Sequence, residues 1–214
     1  YSTIRRCLGS LIFGSDVDEI EDAALAAASE AGWSLVTTER ATNGLVASFG
    51  AAADARRLLK AQRGMGIPVG PRESRGHTPV FLGGVVLGSA PDDPGARRTD
   101  PVSRFEQLER DAVMCLERYG ASLGLAVGAE YPDTEGRSVV PIVLVAPPQV
   151  ATGIPWHAWN AITIEHRLAG SGRLRLARAA KTALDLVRLT CLGFVETRGH
   201  SPRNPPEGGQ HDCR

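Results

Sequence analysis

The side chains best suited to chemistry in this 214-residue chain fall in three places. Asp16, Asp18, Glu19, Glu21 and Asp22 crowd one N-terminal stretch. Asp16 and Asp18 offer the oxygen ligands a hard divalent cation takes, although carboxylates at a helix start also serve as caps and dipole partners. In Trp156-His157-Ala158-Trp159, two of the three tryptophans stand beside a histidine, with Glu165-His166 following. Trp156, His157, Trp159 and His166 can line a ligand pocket or anchor an interface, because Trp is enriched at binding hot spots. The competing reading has the tryptophans packing a helix start after Pro155 onto a sheet. His157 and His166 lack the i, i+4 spacing of a helical zinc pair. Arg175, Arg178 and Lys181, continued by Arg188, form a basic stripe that reads as an anion site or as a solvated face with ion pairs.

Other chemistries lack support. There is no G-x-S-x-G elbow, and Cys7, Cys115, Cys191 and Cys213 show no C-x-x-C spacing, so neither a zinc cage nor a redox pair is expected. Cys115 and Cys191 read as buried, reduced thiols. Gly83-Gly84 lacks the context of a phosphate loop and reads instead as a strand bulge or a close backbone approach.

The elements that must position these groups follow from periodicity and punctuation. Arg6–Phe13 reads as a strand and Asp16–Ala31 as a helix closed by Gly32. Trp33–Thr38 and Leu45–Phe49 are two β-favouring runs around Asn43-Gly44, a strong hairpin signal, and Ala51–Arg63 is a helix. That order is the βαββα start of a ferredoxin-like unit. Val80–Leu87 reads as a buried strand between two loops. Val102–Tyr119 is the clearest helix, with Phe105, Leu108, Ala112, Cys115, Leu116 and Tyr119 on one stripe. Leu123–Ala129 and Val139–Ala146 form a hairpin, and Leu174–Leu192 is a last amphipathic helix. The expected fold is α/β (α+β) with a mixed or antiparallel sheet and C-terminal helices. Residues 1–196 are expected to form a single domain and 197–214 a flexible tail.

The segment Thr42-Asn43-Gly44-Leu45-Val46-Ala47-Ser48-Phe49-Gly50-Ala51-Ala52-Ala53-Asp54-Ala55-Arg56 resembles the G-D-G-x-x-A-x-F hairpin and following A-x-x-A helix of class III nucleotidyl cyclases, over about Asn43 to Gln62. The resemblance implies two Mg or Mn ions holding a nucleoside triphosphate, one carried by an Asp at the hairpin turn and one by a strand-end F-x-D. The position matching the hairpin Asp is Asn43. The strand end is Phe13-Gly14-Ser15-Asp16, one residue out of phase with the motif.

Charge and composition narrow the class. Lys and Arg number 24 and Asp and Glu also 24, so no overall field draws the chain to nucleic acid or an anionic membrane. Apolar residues at 43% match a globular protein, and no run reaches the length needed to span a bilayer. The expected setting is cytoplasmic. No catalytic constellation is complete, so the expected function is a non-catalytic regulatory or protein-interaction module without a cofactor, its partner another protein or a second copy. The alternative is a divergent metal-dependent nucleotidyl cyclase or other nucleotide-binding enzyme using Mg or Mn.

Overall fold

A computed structural model describes residues 19–64, 78–88, 101–146 and 160–194. In chain order the elements are α1 (Ile20–Glu30), β1 (Leu35–Glu39), α2 (Leu45–Gly64), β2 (Phe81–Val86), α3 (Pro101–Tyr119), β3 (Leu123–Val127), β4 (Tyr131–Pro132), β5 (Ser138–Ala146), β6 (Asn160–Arg167) and α4 (Gly172–Cys191). The fold is mixed α/β, as expected, around one six-stranded sheet.

The sheet has a parallel half and an antiparallel half. β1 pairs in parallel with β2 on one side and β3 on the other, and β3 then pairs antiparallel with β5, which pairs antiparallel with β6. The two-residue β4 adds to the start of β5 through Tyr131 opposite Val139. From β1 the chain reaches β2 through α2. From β2 it passes back beyond β1 to β3 through α3. Because parallel crossovers share one hand, travelling in opposite directions sends α2 and α3 to opposite faces. α1, α2 and α4 accordingly cover one face over Leu35, Leu123, Leu125, Ile142 and Leu144, while α3 covers the other over Val36, Ala126, Val143 and Val145. β3 and most of β5 are buried on both faces and carry continuous apolar runs.

The helices follow their sequences closely. α1 turns Ala24, Leu25, Ala27 and Ala28 inward, with Glu21 and Asp22 in its first turn. α3 begins at Pro101, a position where the missing N–H costs nothing, and buries Leu108, Ala112, Cys115 and Leu116. Gly83-Gly84 performs both roles read from sequence. The register of β2 against β1 slips at Leu82, making a bulge, and a Cβ at Gly84 would lie 2.4 Å from Thr37 Oγ1 and 2.9 Å from the Ala47 Cβ.

One expectation needs correction. Leu45–Phe49 is the first turn and more of α2, not the second strand of a hairpin, so the ferredoxin-like βαββα start is replaced by a parallel β-α-β crossover. Asn43-Gly44 still turns the chain, with φ of 50° and 86°, but it turns a strand into a helix. Asn160–Arg167 form β6, the strand beside β5, and the helix start read after Pro155 lies outside the described residues. The segment 6–13 and the tail 197–214 lie outside the described residues. No described helix is long and apolar enough to cross a membrane.

Candidate functional site

The residues that converge most tightly lie where β1 ends. Strands alternate their side chains, so neighbouring positions reach opposite layers. Glu39 points under α2 and is 1% exposed. Its Oε2 accepts a hydrogen bond from Thr42 Oγ1 at 2.7 Å and from the Val46 amide at 3.0 Å, and its Oε1 accepts from the Ala47 amide at 2.7 Å. Those two amides belong to the first turn of α2, which otherwise lacks intrahelical acceptors. Gly44 precedes that turn and has no side chain to cap it, so Glu39 caps it from the strand. A carboxylate at the positive end of a helix is electrostatically favoured, and here the chain supplies its own anion.

Arg40 reaches the other layer. Its guanidinium donates to Asp111 Oδ2 on α3 at 2.8 Å, and Gln107 donates to the other oxygen of Asp111 at 2.9 Å. The loop backbone closes the crest: the Arg40 and Ala41 amides donate to the Val127 and Gly128 carbonyls, and the Leu87 amide to that of Glu39. Ligands of open α/β sheets usually bind beyond the carboxyl ends of the strands. At this place Glu39, the last residue of β1, and Arg40 just after it fasten both helical layers instead. Behind the crest, Asp54 accepts from the Val80 amide at 3.2 Å and pairs with Arg57, which fixes the entry to β2.

Those groups singled out in the sequence that fall among the described residues are dispersed. Asp16, Asp18, Trp156, His157 and Trp159 lie outside the described residues. His166 stands on β6 opposite Val140. Arg175 pairs with Glu130 at 2.9 Å, Arg178 donates to the Ala169 carbonyl at 3.4 Å, and Lys181 pairs with Glu19 and, at 3.6 Å, with Glu21. The three cations of the stripe therefore meet acceptors at three separate points. The Glu19 carboxylate beside it holds the Lys181 ammonium above its usual range. Among the described residues no three His, Cys, Asp or Glu side chains are grouped to hold a metal ion.

The remaining titratable groups are held by packing. Cys115 is buried and its thiol points to the Thr37 carbonyl at 3.7 Å, while burial pushes the Cys191 thiol up to about 12. On the α3 face, the Arg104 guanidinium lies 3.6 Å from the centre of the Tyr131 ring, and the Tyr131 hydroxyl donates to Glu165. Burial, reinforced by that carboxylate, raises the phenol.

His166 carries a pH prediction. Burial pushes its imidazole below the ordinary value of 6.5, so the unfolded chain takes up its proton first on acidification. Stability present above that value should fall as the pH drops from 6.5 toward the folded-state value. His166→Gln should lose this component, and urea midpoints measured across the window should diverge between the two proteins. Midpoints that run parallel would contradict the assignment.

Sequence reading passed over Glu39, Arg40 and Asp111. A signal was available in Thr37-Thr38-Glu39, three polar residues inside a strand that is buried throughout.

Several solved structures trace a similar chain path at low identity. A competence/damage-inducible protein, CihA, from Agrobacterium tumefaciens is 16% identical, with 85% of this chain and 98% of that one covered and a TM-score of 0.49. A competence-damaged protein (CinA) superfamily protein from Escherichia coli is 17% identical over 85% and 98% of the chains, with a TM-score of 0.45. Competence damage-inducible protein A (ComA) from Klebsiella pneumoniae is 17% identical over 83% and 100%, also with a TM-score of 0.45. No family model matches the sequence, and no curated protein matches it. The expected likeness to class III nucleotidyl cyclases does not hold: the second strand of the hairpin that carried it is part of helix α2, and no family model matches.

Proposed function

We propose that the chain is a cytoplasmic, non-catalytic regulatory or protein-interaction module that works without a cofactor. The observation that supports this reading is Glu39. At the strand ends, where an α/β fold offers helix amides to an anionic ligand, both amides and the Thr42 hydroxyl are already bonded to the chain's own carboxylate. Arg40, the nearest cation, is bonded to Asp111. The carboxylate therefore occupies the helix amides an anion would use, and the Arg40 guanidinium is already held by a carboxylate of its own chain.

Thermal melting tests the proposal with inorganic phosphate, ATP and GTP, each with Mg or Mn. A ligand that binds only the folded chain, present at 100 times its dissociation constant, adds about 2.7 kcal/mol and shifts a melt by several degrees. The expected result is an unmoved midpoint. A dose-dependent rise with any of these ligands, lost in Arg40→Ala, would overturn the reading in favour of a small-molecule site at the crest.

A further inference from the structure

From the outward face of α3 we infer that the protein pairs with a second copy of itself, helix α3 lying antiparallel to α3. The inner stripe of this helix is buried on the sheet, yet its outer stripe is not simply polar. Met114 is 50% exposed and Val113 half-buried, and they lie between Arg110 and Glu117 along a shallow cleft of about 330 Å³ edged by Glu106 and Glu109. Arg110 and Glu117 stand at equal distances on either side of the Val113-Met114 centre, seven positions apart, and so on one side of the helix.

That spacing makes the stripe self-complementary in one orientation. With a two-fold axis between Val113 and Met114, each Arg110 faces Glu117 of the second copy, while Val113 meets Val113 and Met114 meets Met114 in the middle. A parallel pairing would set arginine against arginine and glutamate against glutamate. Two apolar contacts sealed by two symmetric ion pairs are the arrangement of an isologous interface, with the charges fixing orientation more than affinity. Arg110 also donates to Gln107 Oε1 at 3.0 Å, which holds its guanidinium along the helix surface while other N–H groups stay available. Nineteen residues make α3 about 28 Å long, so the helix pair alone covers less than the roughly 1,600 Å² of a standard interface, and dissociation on the order of micromolar is expected.

Sedimentation velocity over a concentration series of the full chain tests this. The wild type should pass from monomer to dimer, more weakly at high salt. Arg110→Glu alone and Glu117→Arg alone should each raise the dimer dissociation constant by at least about tenfold, because each variant presents two like-charge contacts. Mixing the two variants should restore a dimer, since every contact in the mixed pair is again opposite in charge. The Arg110→Glu/Glu117→Arg double variant should likewise recover self-association. Circular dichroism melts confirm that each exposed substitution leaves the fold intact. A wild type that stays monomeric, a dimer that neither reversal weakens, or two weakened variants that fail to associate on mixing would each overturn the inference. A monomeric protein would leave the reading of the strand-end crest untouched, since ligand-dependent melting tests that separately.

Discussion

Glu39→Ala is expected to lower the free energy of unfolding by about 3 to 5 kcal/mol, among the largest effects available to a single polar residue here. The substitution removes three hydrogen bonds to a charged acceptor and strands their donors, the Thr42 hydroxyl and the Val46 and Ala47 amides, at a position with almost no solvent. It also removes the only side chain capping the first turn of α2 among the described residues, since Gly44 has none to offer. Glu39→Gln keeps the volume and one acceptor oxygen, so its loss should be intermediate. Urea titrations followed by far-ultraviolet circular dichroism distinguish the three proteins. If alanine cost less than about 1 kcal/mol, Glu39 would not be what secures α2.

The second large effect is expected at Gly124. It lies in β3 directly beneath α3, and a Cβ there would stand 2.8 Å from the Ala112 carbonyl oxygen and 2.8 Å from Leu116 Cγ. The backbone oxygen has no rotamer with which to escape. Gly124→Val must therefore lift the helix from the sheet, at a cost of about 3 kcal/mol, despite the better strand propensity of valine. Chemical denaturation measures the loss, and an increase in stability would show that the two layers are not in such close contact.

Both predictions concern residues whose partners come from other elements. The periodicity of α3 and the apolar runs of β3 and β5 were legible because each carries its own pattern over many residues. Leu45–Phe49 was not. Leu-Val-Ala-Ser-Phe favours a strand by intrinsic preference, and Asn-Gly before it favours a hairpin, but the acceptor that holds its amides in a helix is Glu39, from another element. Tertiary context overrode propensity there. β6 failed for a different reason. Ile162, Ile164 and His166 alternate with the exposed Thr163, Glu165 and Arg167, a readable period of two, but Pro155 and the tryptophan pair just before carry the competing signal of a helix start. The candidate site was the least legible part. Asp111 lies 71 positions from Arg40, and no short motif joins residues so far apart.

The division of the sheet into a parallel and an antiparallel half bears on the order in which the chain assembles. Pairing Val127 with Ile142 closes a short loop, whereas joining Ser34 to Ser122 closes one of 88 positions, which costs about 1.5 kcal/mol more in chain entropy. The hairpin of β3 and β5, extended by β6, can gather locally, while β1 is delivered late, between β2 and β3, both of which follow it in the chain after long detours. The strand that ties all the layers together is thus the one whose insertion completes the fold. Until it arrives, β3 offers an open edge to any neighbouring chain, and nascent protein is most exposed to aggregation in that interval.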